Sequence, residues 1–425
     1  MLPFAHILLV LSLIISSIHG HPLEDSLTDT WTVELDQQHS VSDDAGQVYF
    51  GSTSPHSESS ASRTLKAVPT LVYQPAWNSA YQDARISSLE QAMSRQVEWI
   101  PRTLAAPDVQ DRHTLVELAK MAGNAYALPG HSNWYDLDGA WNQSFPFGWE
   151  DDQNGFRGHV FKSKDNSTVV LAIKGTTVQG ETSKKDKFND NLLFSCCCAR
   201  VDFSWVFRTV CDCYSGAQRC DSTCLSRALI QDSLFYSTGV RIINELIAHY
   251  PGSNIWLVGH SLGGSLASLL GSTFGFPAVA FEAPGELLAA RRLHLPLPPP
   301  LPSDSVSDSD SDLLPPPVPV THVFHTADPI PLGTCTGFNS PCERAGYALQ
   351  TRCHLGKNIV YDTVSRLGWA PDIRRHPVKV LIRKVLEVEN VVWEFGRGVG
   401  EVPRAREESG CQDCHSWKFG DFGRP

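Results

Sequence analysis

Apolar and polar positions alternate along this chain in ways that mark out elements. From residue 111, DRHTLVELAKMAGNAYALPG sets Leu115, Leu118, Met121 and Ala122 on one side of a helix, and Pro129-Gly130 ends it. FRGHVFKSKDNSTVVLAIKGTT then predicts a hairpin with arms at 156–162 and 168–174 and a polar turn at 164–167. Helical spacing returns over 226–250, with Leu229, Ile230, Leu234, Val240, Ile243, Leu246 and Ile247 apolar, until Pro251-Gly252 closes it. A short buried strand at 255–258 follows, and a small-residue helix starts near Leu262. Residues 276–281 and 321–325 supply further strands. Strands separated by helices predict an α/β fold, an α/β-hydrolase-type sheet with flanking helices.

Other stretches lack such periodicity. Residues 1–20 hold an apolar run at 7–18, which predicts a signal peptide or, counted from Leu2, a signal anchor. Ser-rich, acidic sequence then makes 21–110 a flexible stalk followed by a poorly defined region, with order expected to begin near Asp111. A single catalytic domain would fill 111–422. Inside it, LPLPPPLPSDSVSDSDSDLLPPPVPV at 295–320 is a solvated insertion that proline and like charges keep extended.

Twelve cysteines behind a secretory segment predict disulfides in an oxidising lumen. Structural zinc is the competing reading, carried by the C-x-x-C at Cys411 and Cys414, but no second well-spaced pair supports it, and no metal or cofactor is expected. Asn142-Gln-Ser and Asn166-Ser-Thr are sequons for glycosylation in that compartment. A formal charge of −11 leaves no basic footprint for nucleic acid. The oligomeric state is not legible.

The chemistry lies in NIWLVGHSLGGSLASLLG. In G-x-S-x-G between strand and helix, the serine stands on a sharp turn, so Ser261 is the candidate nucleophile and the Leu262 N–H a donor for an oxyanion. A bare G-x-S-x-G is often only a helix cap, but here the apolar run 255–258 before it and Leu262, Ala267, Leu269 and Leu270 after it supply the strand and helix that the elbow requires. A serine of this kind needs an acid and then a histidine later in the chain. Asp328, at the end of the strand in THVFHTADPIP, leads over Asp362 and Asp372. His376 leads His354, beside Cys353, and His415, beside Cys414. His260 is expected to point away from the serine, and Pro377 to hold His376 at extended backbone angles.

GHSLGG with IKGTT upstream and HTADPIP downstream resembles the class 3 lipase family. KDKFNDNLLFSCCCAR, FEAPGELLAARRLHLP, AGYALQTRCHLGK and CQDCHSWKFGDF are similar to its fungal autophagy-related vacuolar members. The resemblance implies Ser261, Asp328 and His376 as catalytic residues and adds Thr176 as the second oxyanion donor. It also implies a glycosylated single-pass type II membrane protein, carried through endosomes and multivesicular bodies to the vacuole lumen, acting on membrane phospholipids, with phosphoinositides as candidates. The aromatics of VDFSWVF make 201–207 a lid candidate, with core packing beneath the disulfides as the alternative. The rival readings are a catalytically silent lipid-binding membrane tether and a secreted triglyceride or feruloyl esterase.

Overall fold

The computed structural model describes residues 30–31, 33–34, 37–41, 48–52, 65–76, 84–85, 97–137, 144–149, 155–163, 167–177, 180, 182–199, 210–232, 234–299, 317–337 and 340–422. The N-terminal apolar run, the asparagines of both sequons, the lid candidate and the 300–316 part of the insertion lie outside them. Among the described residues no helix is long and apolar enough to cross a membrane.

Four short strands come first: Thr30–Trp31 (β1), Val33–Glu34 (β2), Gln37–Val41 (β3) and Val48–Ser52 (β4). Leu65–Pro75 (β5) and Trp99–Pro107 (β6) pair antiparallel, followed by helix Arg112–Asn124 (α1). Phe145–Phe147 (β7), Gly158–Ser163 (β8) and Thr168–Ile173 (β9) lead to helix Ser183–Phe194 (α2). After Arg219–Asp221 (β10) come helices Ser222–Asp232 (α3) and Leu234–His249 (α4), which share the stretch expected as one helix. Strand Asn254–His260 (β11), helix Leu262–Phe274 (α5), strand Ala278–Phe281 (β12), helix Leu287–Arg292 (α6) and strands Val320–His325 (β13) and Lys357–Tyr361 (β14) complete the centre. Arg406–Glu407 (β15) and Lys418–Gly420 (β16) finish the run.

The main sheet has the order β15-β14-β13-β12-β11-β9-β8-β2, with β7 also on β8. Strands β9, β11, β12, β13 and β14 are parallel, and β8 and β15 run antiparallel to their neighbours. This is the mixed α/β-hydrolase-type sheet that the pattern predicted. Because successive side chains on a strand face opposite ways, β11 splits its apolar residues between two cores. Ile255 and Leu257 join α4 and α5 on one face, while Trp256 and Val258 join α1 on the other.

Order begins upstream of Asp111, contrary to expectation. Leu65 and Ala67 of β5 are buried in the α1 core, and Lys66 N–H donates to the Thr114 hydroxyl (2.9 Å). The Trp256 indole N–H donates to the Ala105 carbonyl of β6 (2.8 Å). The hairpin is therefore part of the catalytic unit. It escaped notice because Pro69, Pro75, Pro101 and Pro107 interrupt both arms, and prolines ordinarily argue against paired strands. At the insertion's flanks Leu295 and Val318 are buried, so the fold resumes before residue 320.

All twelve cysteines are paired. Cys196–Cys414, Cys197–Cys220, Cys198–Cys211 and Cys213–Cys224 gather around one region, and Cys335–Cys342 and Cys353–Cys411 secure the later loops. Cys411 and Cys414, the zinc alternative, are thus spent on separate bridges.

Candidate active site

The turn between β11 and α5 is sharp enough to force Ser261 to φ 57° and ψ −130°, a backbone conformation that a side chain tolerates only under tertiary constraint. The glycines beside it are required by contact. A Cβ on Gly259 would lie 2.2 Å from the Gly263 carbonyl oxygen, and one on Gly263 would lie 2.2 Å from that of Ile173. So α5 starts close against β9 and β11, and the serine is lifted at the C-terminal edge of the sheet.

His376 meets it there. Ser261 Oγ is 2.9 Å from His376 Nε2, and His376 Nδ1 is 2.7 Å from Asp328 Oδ2. Since a carboxylate can only accept, Nδ1 carries the hydrogen and Nε2 is free to take one from the serine. Asp328 is sealed from solvent just past the end of β13, and its Oδ1 accepts the Ile330 N–H (3.0 Å). Burial pushes its pKa up, but the charge and hydrogen bond of His376, with further bonds from Glu282 and Ile330, outweigh it and hold the carboxyl below its ordinary 3.8. The imidazole keeps a solvent-facing side, with 17% of its side chain accessible.

Two expectations about histidines are corrected. His376 has φ −61° and ψ −36°, helical angles, although a proline follows it. Its N–H closes a 3-10 turn on the Ile373 carbonyl (3.0 Å), while its own carbonyl accepts from His260 Nε2 (2.9 Å). Those bonds overcome the preference that Pro377 imposes. His260 does not turn away from the site but packs against His376, with ring centroids 4.8 Å apart. Its Nδ1 pairs with the Tyr126 hydroxyl (2.9 Å). Burial, and then the neighbouring His376, push its pKa down to about 3, so it stays neutral and buttresses His376 without adding charge.

The candidate oxyanion donor Thr176 lies just past the end of β9. Thr176 follows Lys174-Gly175, and its hydroxyl donates to Asp190 Oδ2 on α2 (2.5 Å). With the hydroxyl so engaged, the backbone N–H is the group of Thr176 that an oxyanion role would use. One turn earlier Asp186 accepts from Lys174 Nζ (2.9 Å) and the Thr177 N–H (2.8 Å). Opposite this loop, Leu262 is the first residue of α5, where N–H groups have no partner within the helix.

The remaining candidates have other roles. Asp362 caps the helix Thr363–Leu367 through the Ser365 N–H (3.0 Å), and Asp372 caps the 3-10 turn through the Arg374 N–H (2.9 Å). His354 is buried against His322, donates to the Ala283 carbonyl (3.2 Å) and faces Glu408. His415 is exposed near Cys414. Sequence reasoning passed over Glu282, whose buried carboxyl touches Asp328, and Tyr126, Asp186 and Asp190. Only the Asp186/Asp190 spacing of four on one helix carried a signal.

A family model described as lipase (class 3) matches residues 170–275, which span β9 to α5 and the elbow. A protein of Cryptococcus neoformans named "Putative lipase ATG15" is 43% identical over 386 residues, covering 76% of this chain and 70% of that protein. The chain belongs to the class 3 lipase family. Another relative of this lipase, a Saccharomyces cerevisiae protein with the same name, is 45% identical over 336 residues, covering 76% of this chain and 59% of that protein. The crystal structure of Lip2 lipase from Yarrowia lipolytica is similar at 17% identity over 58% of this chain and 77% of that one, with a TM-score of 0.30, a likeness too low to add to the topology above.

Proposed function

We propose that this class 3 lipase hydrolyses ester bonds of membrane lipids, phospholipids among them, with Ser261 as nucleophile, His376 as base and Asp328 as the acid that orients it. The observation carrying the proposal is the continuous line from Ser261 Oγ to His376 to Asp328, at 2.9 and 2.7 Å, mounted on a strained elbow. Ser261 Oγ attacks the ester carbonyl as His376 Nε2 takes its proton. The tetrahedral oxyanion accepts from the N–H groups of Leu262 and Thr176, each such donor worth about 3 kcal/mol of barrier. His376 returns the proton to the leaving alcohol, and the acyl group stays on Ser261. Water then attacks, giving up its proton to His376, and the fatty acid leaves as Ser261 regains its hydrogen.

The reading extends to place. The secretory N-terminal segment and the fully paired cysteines support action in an oxidising lumen, and the family resemblance supports a membrane-anchored enzyme acting on lipid vesicles in the vacuole. A catalytically silent tether has no use for a base aligned on a strained serine. The test is Ser261→Ala in the full chain, assayed on phospholipid liposomes and soluble esters. Loss of hydrolysis by about 10⁴-fold or more, with unchanged thermal unfolding, is expected. Hydrolysis by a folded alanine variant would remove the proposal.

A further inference from the structure

Behind the line of Ser261, His376 and Asp328 stands a fourth side chain. Glu282 follows β12 directly and is wholly buried, with φ 45°, a left-handed backbone that glycine accepts readily and glutamate does not. A buried acid kept at a strained position points to a task for that side chain. Its Oε1 accepts the His325 N–H (3.2 Å), but its Oε2 is buried and meets no N–H or O–H donor. The Glu282 carboxyl lies within hydrogen-bond reach of the Asp328 carboxyl. Two carboxylates in a sealed site repel, and two bare oxygens cannot bond, so the contact requires one hydrogen between them.

We propose that Glu282 is a positioning residue, a protonated carboxyl that donates to Asp328 and fixes the face Asp328 turns to His376. The inference rests on the triad reading above. The neighbours on every packed element agree with it. His325, with its ring Nε2 3.7 Å from Glu282 Oε1, is the titratable base nearest by position, but burial above all pushes its pKa down, and its Nε2 also faces the Arg375 carbonyl (3.3 Å). It therefore supplies no charge to ionise Glu282. Arg375 acts on His325 by repulsion, and His260, beside His376, is neutral. Burial first, then the Asp328 charge and hydrogen bond, hold the Glu282 pKa well above its ordinary 4.5. Asp328 already receives His376 and Ile330, so the Glu282 hydrogen completes its coordination and moderates its pull on the imidazolium.

The test compares Glu282→Gln with Glu282→Leu in the full chain on phospholipid liposomes and a soluble ester from pH 4 to 8. Glutamine keeps a donor for Asp328 and an acceptor for His325; leucine keeps the bulk and loses both. Expected for leucine is a fall in kcat of about tenfold with KM little changed. Its acidic limb of kcat/KM should move up by about half a pH unit or more, because an unmoderated Asp328 holds the protonated imidazole more tightly. Glutamine should restore the limb and keep kcat within about threefold. If leucine does not fold, Glu282→Gly, which suits the backbone, takes its place. A folded leucine or glycine variant with wild-type kcat and limb overturns the inference, as does a glutamine variant that falls as far as leucine. Hydrolysis by Ser261→Ala would instead overturn the triad reading.

Discussion

Raising the pH from 6.5 to 8 should weaken the fold, and Asp190→Asn should cancel part of that loss. Asp190 is sealed within α2 beside the oxyanion loop. Burial is the main cause that pushes its pKa up to about 8; the Thr176 hydrogen bond opposes it and the Asp186 charge adds to it. The folded protein thus keeps a proton that the unfolded chain releases near its ordinary 3.8. Stability from this group is complete below that value and is lost as pH climbs toward about 8. One proton corresponds to about 1.4 kcal/mol per pH unit, so the interval from pH 6.5 to 8 costs about 2 kcal/mol. The shifted histidines are common to both proteins and drop out of the comparison. Burial chiefly pushes down His294, His322 and His325, as well as His159 (to about 4) and His260 (to about 3), whereas His354 is raised, against burial, by its Glu408 and Glu286 partners. The lowered five are neutral when folded above pH 6.5. Below 6.5 they act in the other direction, because unfolding lets them charge, and stability falls in acid. Glu282, also raised, contributes alkaline loss of the same sign. The assay is thermal and urea unfolding across this range. Asn mimics the protonated acid and still accepts from Thr176 but releases no proton on unfolding, so the variant should already exceed wild type at pH 6.5 and widen its margin by a few degrees more at pH 8. Parallel curves for the two proteins above pH 6.5 would refute the argument.

Two further outcomes follow from geometry. Gly263→Ala would place a methyl 2.2 Å from the Ile173 oxygen and 2.8 Å from the Lys174 carbonyl carbon, both backbone, so α5 must retreat. A stability loss of about 1–3 kcal/mol and a drop in kcat of about 10² are expected, measured by thermal unfolding and turnover. Cys196→Ser with Cys414→Ser removes a bridge across 218 positions and loosens the segment that carries Trp417 into the core, which Cys353–Cys411 then holds alone. About 2–5 kcal/mol of stability should go, read by urea unfolding under non-reducing conditions; an unchanged midpoint would show that packing and the Cys353–Cys411 bridge suffice to hold the segment.

The elements that were legible from sequence are those whose period is clean. Helix α1 shows its apolar face at spacings of three and four, β8 and β9 show branched residues around a polar turn, and the elbow shows glycines on both sides of a serine. Asp328 could be singled out because a strand pattern runs into it. The β5–β6 hairpin could not be read, since prolines mask arms whose buried residues, Leu65, Ala67 and Val72, do not alternate strictly. Nor could the surroundings of the triad. His260 bonds to a carbonyl 116 residues away, and Glu282 reaches an aspartate across the gap between two strands. Such contacts are products of the fold, and a residue's type gives no hint of them.

The three adjacent cysteines at 196–198 also bear on how the molecule is assembled. Cys198 and Cys197 find mates 13 and 23 positions downstream, whereas Cys196 waits for Cys414. Were the chain to emerge into an oxidising lumen as proposed, the mates of Cys198 and Cys197 would follow within 23 residues and leave Cys196 as the unclaimed thiol of the triplet. Its bridge closes only when residue 414 is present, beyond both Ser261 and His376 in the chain.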